Sequence, residues 1–263
     1  MIYKIFNYIN RKKIWRLPVT IQGVKFHPNS GDRFVALLLH KFLPGANSFA
    51  RWISANAKPG NIVLDIGSNQ GLFAIAASNA VGPSGMVHAF EPDKDLAACI
   101  SETITKNEIT NIKLHQIALG AKSEMLNLYK NPYNAGDNRL TTSPSKSKQT
   151  LDAVNVEKLD DLSEIQSFDF VKIDVQGWEL SVLKGMIQKM QINSKAKLLF
   201  EFWPHGLKMA GFDPLELIFY MIENGYTLTE ESSGLKLSID NSSAFVKDIR
   251  GKKYTDIEAV KLA

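Results

Sequence analysis

The pattern of apolar and polar positions changes character near residue 60. Upstream, Ile2, Ile5, Phe6 and Ile9 recur at helical spacing and run into a basic cluster. A second apolar helical stretch covers 34–43 and is ended by Pro44, and between the two, 19–26 alternates as a short strand with Gly23 as a turn. From Lys58-Pro59-Gly60 onward, short apolar runs alternate with helical patterns, which is the signature of a mostly parallel sheet covered on both faces. Strands are predicted over 61–66, 86–90, 112–117, 168–175 and 197–203, and helices over 72–80, 93–106, 178–190 and 214–224. In the second of these helices Leu96, Ile100 and Ile104 share one face. Additional strands over 124–130 and 149–156 flank a polar loop, 131–148, long enough to be a lid or a disordered excursion. A pair at 226–230 and 235–240, with another strand at 244–248, completes the sheet. The expectation is an α/β fold with a doubly wound, mostly parallel sheet of about seven strands and helices on both faces. Residues 1–57 would be a basic helical and hairpin extension, and 58–263 the main domain.

Composition narrows the class. The 263 residues are 44% hydrophobic and 22% charged, as in ordinary globular chains, and disordered, collagenous and coiled-coil classes are excluded. Cys99 is the single cysteine, so neither an internal disulfide nor a multi-cysteine zinc site is available, and a reducing compartment is expected. No apolar run has the length of a membrane span and the N-terminus lacks the pattern of a signal peptide, which together predict a cytoplasmic protein. The net charge of +4 is unevenly spread: residues 1–60 carry +9 and the rest −5. The basic segment 1–16 is therefore a candidate for weak contact with a membrane surface or an anionic partner, or for subunit contact in a homodimer. The acidic remainder has no stripe of Lys and Arg with interleaved aromatics, so nucleic acid is not expected as a partner.

The chemistry is concentrated at strand ends. In open α/β sheets ligands bind beyond the carboxyl ends of the strands. The first strand leads into Val63-Leu64-Asp65-Ile66-Gly67-Ser68-Asn69-Gln70-Gly71. A dinucleotide fingerprint would need glycine at Asn69 and Leu72, and a Walker A loop would need Gly-Lys-Ser/Thr where Gly71 is followed by Leu72 and Phe73. A nicotinamide oxidoreductase and a nucleoside triphosphatase are both disfavoured. An acid at the strand end and two glycines four apart remain. A second acid, Glu91, ends the second strand in Ala89-Phe90-Glu91-Pro92, 26 residues after Asp65. A carboxylate there can accept both hydrogen bonds of a ribose diol.

Asp-Ile-Gly-Ser-Asn-Gln-Gly resembles the first motif of class I S-adenosylmethionine-dependent methyltransferases, which are Rossmann-like. The string Asp169-Phe170-Val171-Lys172-Ile173-Asp174-Val175-Gln176-Gly177-Trp178-Glu179, followed by Val182-Leu183-Lys184-Gly185, is similar to the FkbM-type members of that class. Gln176 stands where that family usually has Glu. Ile117-Ala118-Leu119-Gly120 and Glu201-Phe202-Trp203-Pro204 match the same pattern, and the likeness covers about residues 58 to 230. The resemblance implies S-adenosyl-L-methionine as cofactor, held by Asp65, Gly67, Ser68, Asn69, Gly71, Glu91, Pro92, Ala118, Leu119 and Asp174.

Methyl transfer from a sulfonium asks mainly for positioning and exclusion of water. A hydroxyl acceptor adds the need for a general base at the ends of the fourth or fifth strand. Asp174, Glu201 and His205 are the candidates, and His205 is favoured for its near-neutral pKa. Trp178 and Trp203 flank the same strand ends as walls of an acceptor pocket or as core. No second carboxylate or His lies at ligand spacing from Asp174, so no essential metal is expected. The reading is O-methylation of a hydroxyl on a small molecule or sugar. N-methylation, or a cofactor-binding or interaction module without catalysis, are the alternatives.

Overall fold

The computed structural model describes residues 17–28, 30, 48–131, 134–141, 150–249 and 254–261. The helices expected over 1–16 and 34–43 lie outside the described residues. The chain begins with a hairpin, β1 (Val19–Ile21) and β2 (Val24–Phe26), and a helix, α1 (Ser48–Asn56). The hairpin turns at Gln22-Gly23, both in the left-handed region, so one alternating run is two antiparallel strands.

The main sheet is then laid down in order. β3 (Ile62–Ile66), α2 (Leu72–Val81), β4 (Met86–Phe90), α3 (Lys94–Lys106) and β5 (Ile112–His115) form one half. β6 (Ala118–Leu119), β7 (Glu124–Lys130), β8 (Arg139–Thr141) and β9 (Thr150–Glu157) form a separate inserted sheet of order β6-β9-β7-β8. β10 (Phe170–Ile173), α4 (Glu179–Lys184), α5 (Ile187–Ile192), β11 (Lys197–Phe202), α6 (Pro204–Met209), α7 (Pro214–Glu223), β12 (Tyr226–Glu230), β13 (Lys236–Leu237), α8 (Ile239–Ile249) and β14 (Thr255–Lys261) complete the molecule. The eight-stranded sheet runs β13-β12-β14-β11-β10-β3-β4-β5. Strand order reverses between β3 and β10, which are parallel neighbours with Asp65 opposite Lys172 and Ile66 opposite Ile173. That reversal is the topological switch point, where loops from both halves diverge and leave a crevice.

Two hydrophobic layers hold the sheet. Leu64, Ile66, Phe90, Ile173, Phe200 and Phe202 face one layer with α4, α7 and the inserted sheet. Val63, Val87, Ala89, Phe170 and Leu199 face the other with α2. Such alternation along strands buried on both sides explains their nearly continuous apolar sequences. Val19, Phe26, Trp52 and Ile53 belong to the second layer, so the described part of the first 57 residues packs on the sheet. Asn107 fixes the hairpin further, accepting from Lys25 N at 3.0 Å and donating to Lys25 O at 2.9 Å.

Three elements differ from the sequence expectation. The helix expected over 178–190 is two short ones. The chain breaks at Gly185, where a Cβ would stand 1.9 Å from the Gly120 carbonyl oxygen, so backbone approaches backbone at the base of the inserted sheet. The strand expected at 244–248 is part of α8: Ser242, Phe245, Val246 and Ile249 are its buried positions, a helical period, and Phe245 stacks on Phe202 at 5.8 Å. The sheet is completed instead by β14, which inserts antiparallel between β11 and β12.

Candidate active site

A cleft opens at the switch point, partly enclosed by the loops that diverge there. Four strand ends contribute to it: Gly67 and Asn69 after β3, Glu91 and Pro92 after β4, Ala118 and Leu119 after β5, and Asp174, Gln176 and Trp178 after β10. The inserted sheet closes it with Ala135, Gly136, Asn138 and Arg139.

The first loop is shaped by its own backbone. Gly67 and Asn69 are both in the left-handed region, at φ 80° and 52°. A Cβ at Gly67 would lie 2.0 Å from the Asp174 carbonyl oxygen, so only glycine lets the loops after β3 and β10 meet. Asn69 tolerates this conformation better than most residues. Its N–H donates to Glu91 Oε2 at 2.7 Å, and the Asp93 N–H donates to Glu91 Oε1 at 2.9 Å. Both carboxyl oxygens of Glu91 are therefore aimed by backbone donors, with further lone pairs left on each. Burial pushes the Glu91 carboxyl up to about 8, against the pull of those two N–H groups.

Beneath the loop lies a buried charge pair. Lys172 and Asp65 are 4% and 0% exposed. Lys172 Nζ stands 3.2 Å from Asp65 Oδ1 and 3.9 Å from Asp174 Oδ2, and donates to the Gly67 carbonyl at 2.6 Å. Burial works against the ammonium, but Asp65 and Asp174 outweigh it and hold its pKa above the ordinary value. Burial also raises Asp65, with Lys172 opposing. The ammonium thus ties the first loop to the fourth strand across the switch point.

A carboxyl-rich floor continues along the strand ends. Gln176 Nε2 donates to Asp174 Oδ1 at 2.8 Å and to Glu201 Oε2 at 3.0 Å. Glu179 Oε1 accepts from the N–H groups of Val175 at 3.1 Å and Gly177 at 3.0 Å, clamping the loop that carries Gln176. Asp256, opposite Glu201 in the β11–β14 register, accepts from the Ser48 hydroxyl at the start of α1. Burial raises Glu179 to about 7 and Asp256 to about 6, and raises Glu201 well above the usual carboxylate range.

Seven of the residues expected at the cofactor line the cleft: Gly67, Asn69, Glu91, Pro92, Ala118, Leu119 and Asp174. Asp65, Ser68 and Gly71 lie behind them. Ser68 is buried and its hydroxyl donates to the Asp65 carbonyl, and Gly71 packs on Ile100. Glu201 reaches Asp174 through Gln176. His205 is exposed on α6 against Trp203, at 5.8 Å between rings, and neither lines the cleft. Sequence reasoning did not assign Lys172 to the site, and it offered the loop 131–148 as a lid without singling out a residue in it. Lys172 carried a usable signal, a charge inside the apolar run Phe170–Ile173 that demands a partner. Asn138 and Arg139 lie in that loop and line the cleft. Among the described residues no group of three or more His, Cys, Asp or Glu is arranged to hold a metal ion, and no helix is long and apolar enough to cross a membrane.

A doubly wound sheet with a glycine-turned first loop, a carboxylate on the second strand and an acid on the fourth defines the class I methyltransferase architecture. The description "Methyltransferase FkbM domain" matches residues 65–228, more than half of the chain, and the chain belongs to that family, whose cofactor is S-adenosylmethionine. The chain is 29% identical over 150 residues to the hexuronic acid methyltransferase AglP of Haloferax volcanii, over 57% of this chain and 59% of that protein. Among solved structures it is similar to a putative rRNA-methylase from Clostridium thermocellum, at 9% identity and TM-score 0.50, covering 81% of this chain and 93% of the other. It is also similar to a SAM-dependent methyltransferase from Aquifex aeolicus, at 16% identity and TM-score 0.48, covering 87% and 97%. The likeness to the Clostridium thermocellum structure concerns the fold alone.

Proposed function

We propose that this protein is an S-adenosylmethionine-dependent O-methyltransferase whose acceptor is a hydroxyl of a sugar, with sugar acids as the acceptor class. The observation that carries this reading is the convergence on one cleft of the Gly67–Asn69 loop, the backbone-aimed Glu91 carboxyl and Asp174. The residues fit the cofactor. Glu91 has unused lone pairs on both oxygens for the two ribose hydroxyls, Ala118 and Leu119 offer an apolar wall, and the loop at Gly67 leaves no side chain in the way. When bound, the cofactor supplies an electrophilic methyl group on a sulfonium.

The chain's own residues supply the rest. Asp174, half-buried and beside Lys172, is the base of this reading, because it lines the cleft and keeps Oδ2 turned from Gln176. A carboxylate within hydrogen-bond reach of the hydroxyl contributes on the order of 10²–10⁴-fold. Arg139 is the cationic residue among those lining the cleft; it lies over the Tyr129 ring, and among the described residues Asp137, at 2.9 Å from Nη1, is its one hydrogen-bond partner, so a guanidinium edge can meet an acidic acceptor. The activity of the Haloferax volcanii relative on hexuronic acid supports the same acceptor class. In this reading 58–263 is the methyltransferase domain and 1–57 its extension. The charge of residues 1–16 supports docking at an anionic surface, and the single buried Cys99 supports a cytoplasmic location.

Two measurements test the reading. Calorimetry should show binding of S-adenosylhomocysteine and none of NADH. Radiolabelled methyl transfer should occur to glucuronic or galacturonic acid glycosides in preference to the neutral glucosides and galactosides. Absence of S-adenosylhomocysteine binding overturns the proposal, and a preference for neutral sugars overturns the acceptor class.

A further inference from the structure

Gln176 occupies an unusual position for a neutral side chain. Its backbone is in the left-handed region at φ 55°, a conformation costly for a residue with a long side chain, and the fold maintains it. The clamp is Glu179, which holds the N–H groups on either side of Gln176, those of Val175 and Gly177. The result is that one amide nitrogen reaches between two strands and donates one hydrogen to Asp174 and the other to Glu201. An amide nitrogen has two hydrogens and no acceptor capacity, so both contacts commit these carboxyl oxygens as acceptors.

We propose that Gln176 is a positioning residue, which aims the Asp174 carboxylate at the acceptor hydroxyl and prevents Asp174 and Glu201 from sharing a proton directly. This inference rests on the reading of the cleft as a methyltransferase site. Two carboxyl groups brought to adjacent strand ends without a donor between them would either repel or bind one proton jointly, and a base occupied by a shared proton cannot take another. The amide removes that option and cannot itself titrate. It engages Asp174 Oδ1 and leaves Oδ2, 3.9 Å from Lys172 Nζ, to meet the acceptor. The hydroxyl proton then passes to Asp174 Oδ2 as the oxygen bonds to the transferred methyl, whose former bonding pair remains on sulfur. The groups that face this pair are Lys172 and Asp65 from the central strands, Glu179 from α4, and Tyr254 and Asp256 from the far side, with Glu231 acting on Asp256. Lys172 is the one cation among them, and burial with three neighbouring carboxyls favours the protonated form of Glu201. The division of roles is a base at Asp174 and, at Glu201, a carboxyl that burial holds well above the usual carboxylate range, with the amide between them.

The test uses the full chain and the variants Gln176→Met, which keeps the shape without donors, and Gln176→Glu, which donates only while protonated. Each is first checked for S-adenosylhomocysteine affinity, expected within about threefold of the native protein if the variant folds. With S-adenosylmethionine and a glucuronic acid glycoside, Gln176→Met is expected to lose roughly 10- to 100-fold in kcat at every pH, with KM for the cofactor unchanged. Gln176→Glu is expected to follow the native rate at acidic pH and fall away as pH rises and its carboxyl ionises, a dependence that a packing role would not produce. Independently of any acceptor, carbon-13 titration of the side-chain carboxyls should show the Glu201 midpoint moved upward in Gln176→Met, because the ionised form has lost a donor. Native turnover in Gln176→Met, or a Glu201 midpoint that does not move, overturns the inference and leaves methyl transfer standing. If the native protein binds S-adenosylhomocysteine but methylates no sugar acid, the acceptor reading fails and the carboxyl titration alone decides for or against Gln176.

Discussion

Replacing Glu91 by Gln should weaken cofactor binding and at the same time alter how stability depends on pH. Glu91 is 5% exposed and its carboxyl titrates near 8 in the folded protein against 4.5 ordinarily, chiefly because burial disfavours the charge. The folded state therefore holds a proton that the unfolded state releases between those values, and the linkage slope is negative: the Glu91 contribution to stability falls as pH rises from about 4.5 to 8. Worked from the two values, the loss between pH 5 and pH 8 is about 3–4 kcal/mol. Glu91→Gln has no proton to lose and lacks that slope. It also turns one of the two aimed positions from acceptor into donor, facing the N–H of Asn69 or Asp93, at a pH-independent cost of roughly 1–3 kcal/mol. Urea denaturation at pH 5 and pH 8 should show the variant gaining on the native protein by a few kcal/mol over that interval, whatever the offset at pH 5. Calorimetry should show S-adenosylhomocysteine binding weakened by about 1.5–3 kcal/mol for each ribose hydrogen bond lost. A stability difference between the two proteins that is the same at both pH values would refute the reasoning about burial, and an unchanged affinity would refute the placement of Glu91 on the ribose.

Lys172→Met removes the ammonium between Asp65 and Asp174 and should destabilise the fold by about 3–5 kcal/mol, with part of the loss recovered by adding Asp65→Asn; a urea-derived loss under about 1 kcal/mol would show that the pair is not held as a buried charge. His88 Nδ1 and His115 Nε2 are 3.0 Å apart, and burial first, with His115 second, lowers His88 to about 4. Its folded form takes up fewer protons than the unfolded chain, so stability is lost as pH falls from about 6.5 toward 4. His88→Leu should lose less stability than the native protein between pH 7 and pH 5, and equal losses in urea midpoints would count against the pairing. Binding of S-adenosylmethionine at pH 7 should release more of a proton than binding of S-adenosylhomocysteine, since a sulfonium favours the charged forms of Glu91, Glu179 and Asp256. Calorimetry in buffers of different ionisation enthalpy measures this, and identical proton counts for the two ligands would refute it.

The parts of the site legible in the sequence are those governed by local geometry. The loop from Asp65 to Gly71 must turn within a few residues, so its glycines and Asn69 stand out in one short string, and Glu91 and Asp174 are read as the acids ending apolar strand runs. What escaped depends on partners far away in sequence. β14 is recognisable as the strand that completes the sheet only through its pairing with β11 and β12. The run 244–248 is too short to separate a period of two from one of 3.6; the buried set at 242, 245, 246 and 249 emerges only over the whole of α8. His205 illustrates the same limit at the level of chemistry. Its pKa in water suits a base, but Pro204 starts a helix that carries it to the surface. Asn138 and Arg139 reach the cleft because Lys130 and Asn138 tie the inserted sheet to Asp93, with Lys130 Nζ at 3.1 Å and Asn138 Nδ2 at 2.9 Å.

The distribution of charge around the switch point gives a reason for this arrangement beyond the individual contacts. Asp65, Glu91, Glu179, Glu201 and Asp256 are all pushed above their ordinary values by burial, and the cation set among them is Lys172. A fold selected for stability alone would replace such groups with apolar ones, because the desolvation of buried carboxyls exceeds what one ammonium returns. Their retention makes sense if the missing positive charge arrives with a ligand. A sulfonium cofactor brings that charge and methyl transfer consumes it, so the field that favours the substrate form of the cofactor favours the product form less. The residues after position 60 carry −5, and the acids that matter for this purpose are the buried few at the strand ends. The +9 of the first 60 residues does not neutralise them: its described members Lys25, Arg51 and Lys58 are exposed, and the cation in contact with the buried acids is supplied from within the sheet by Lys172.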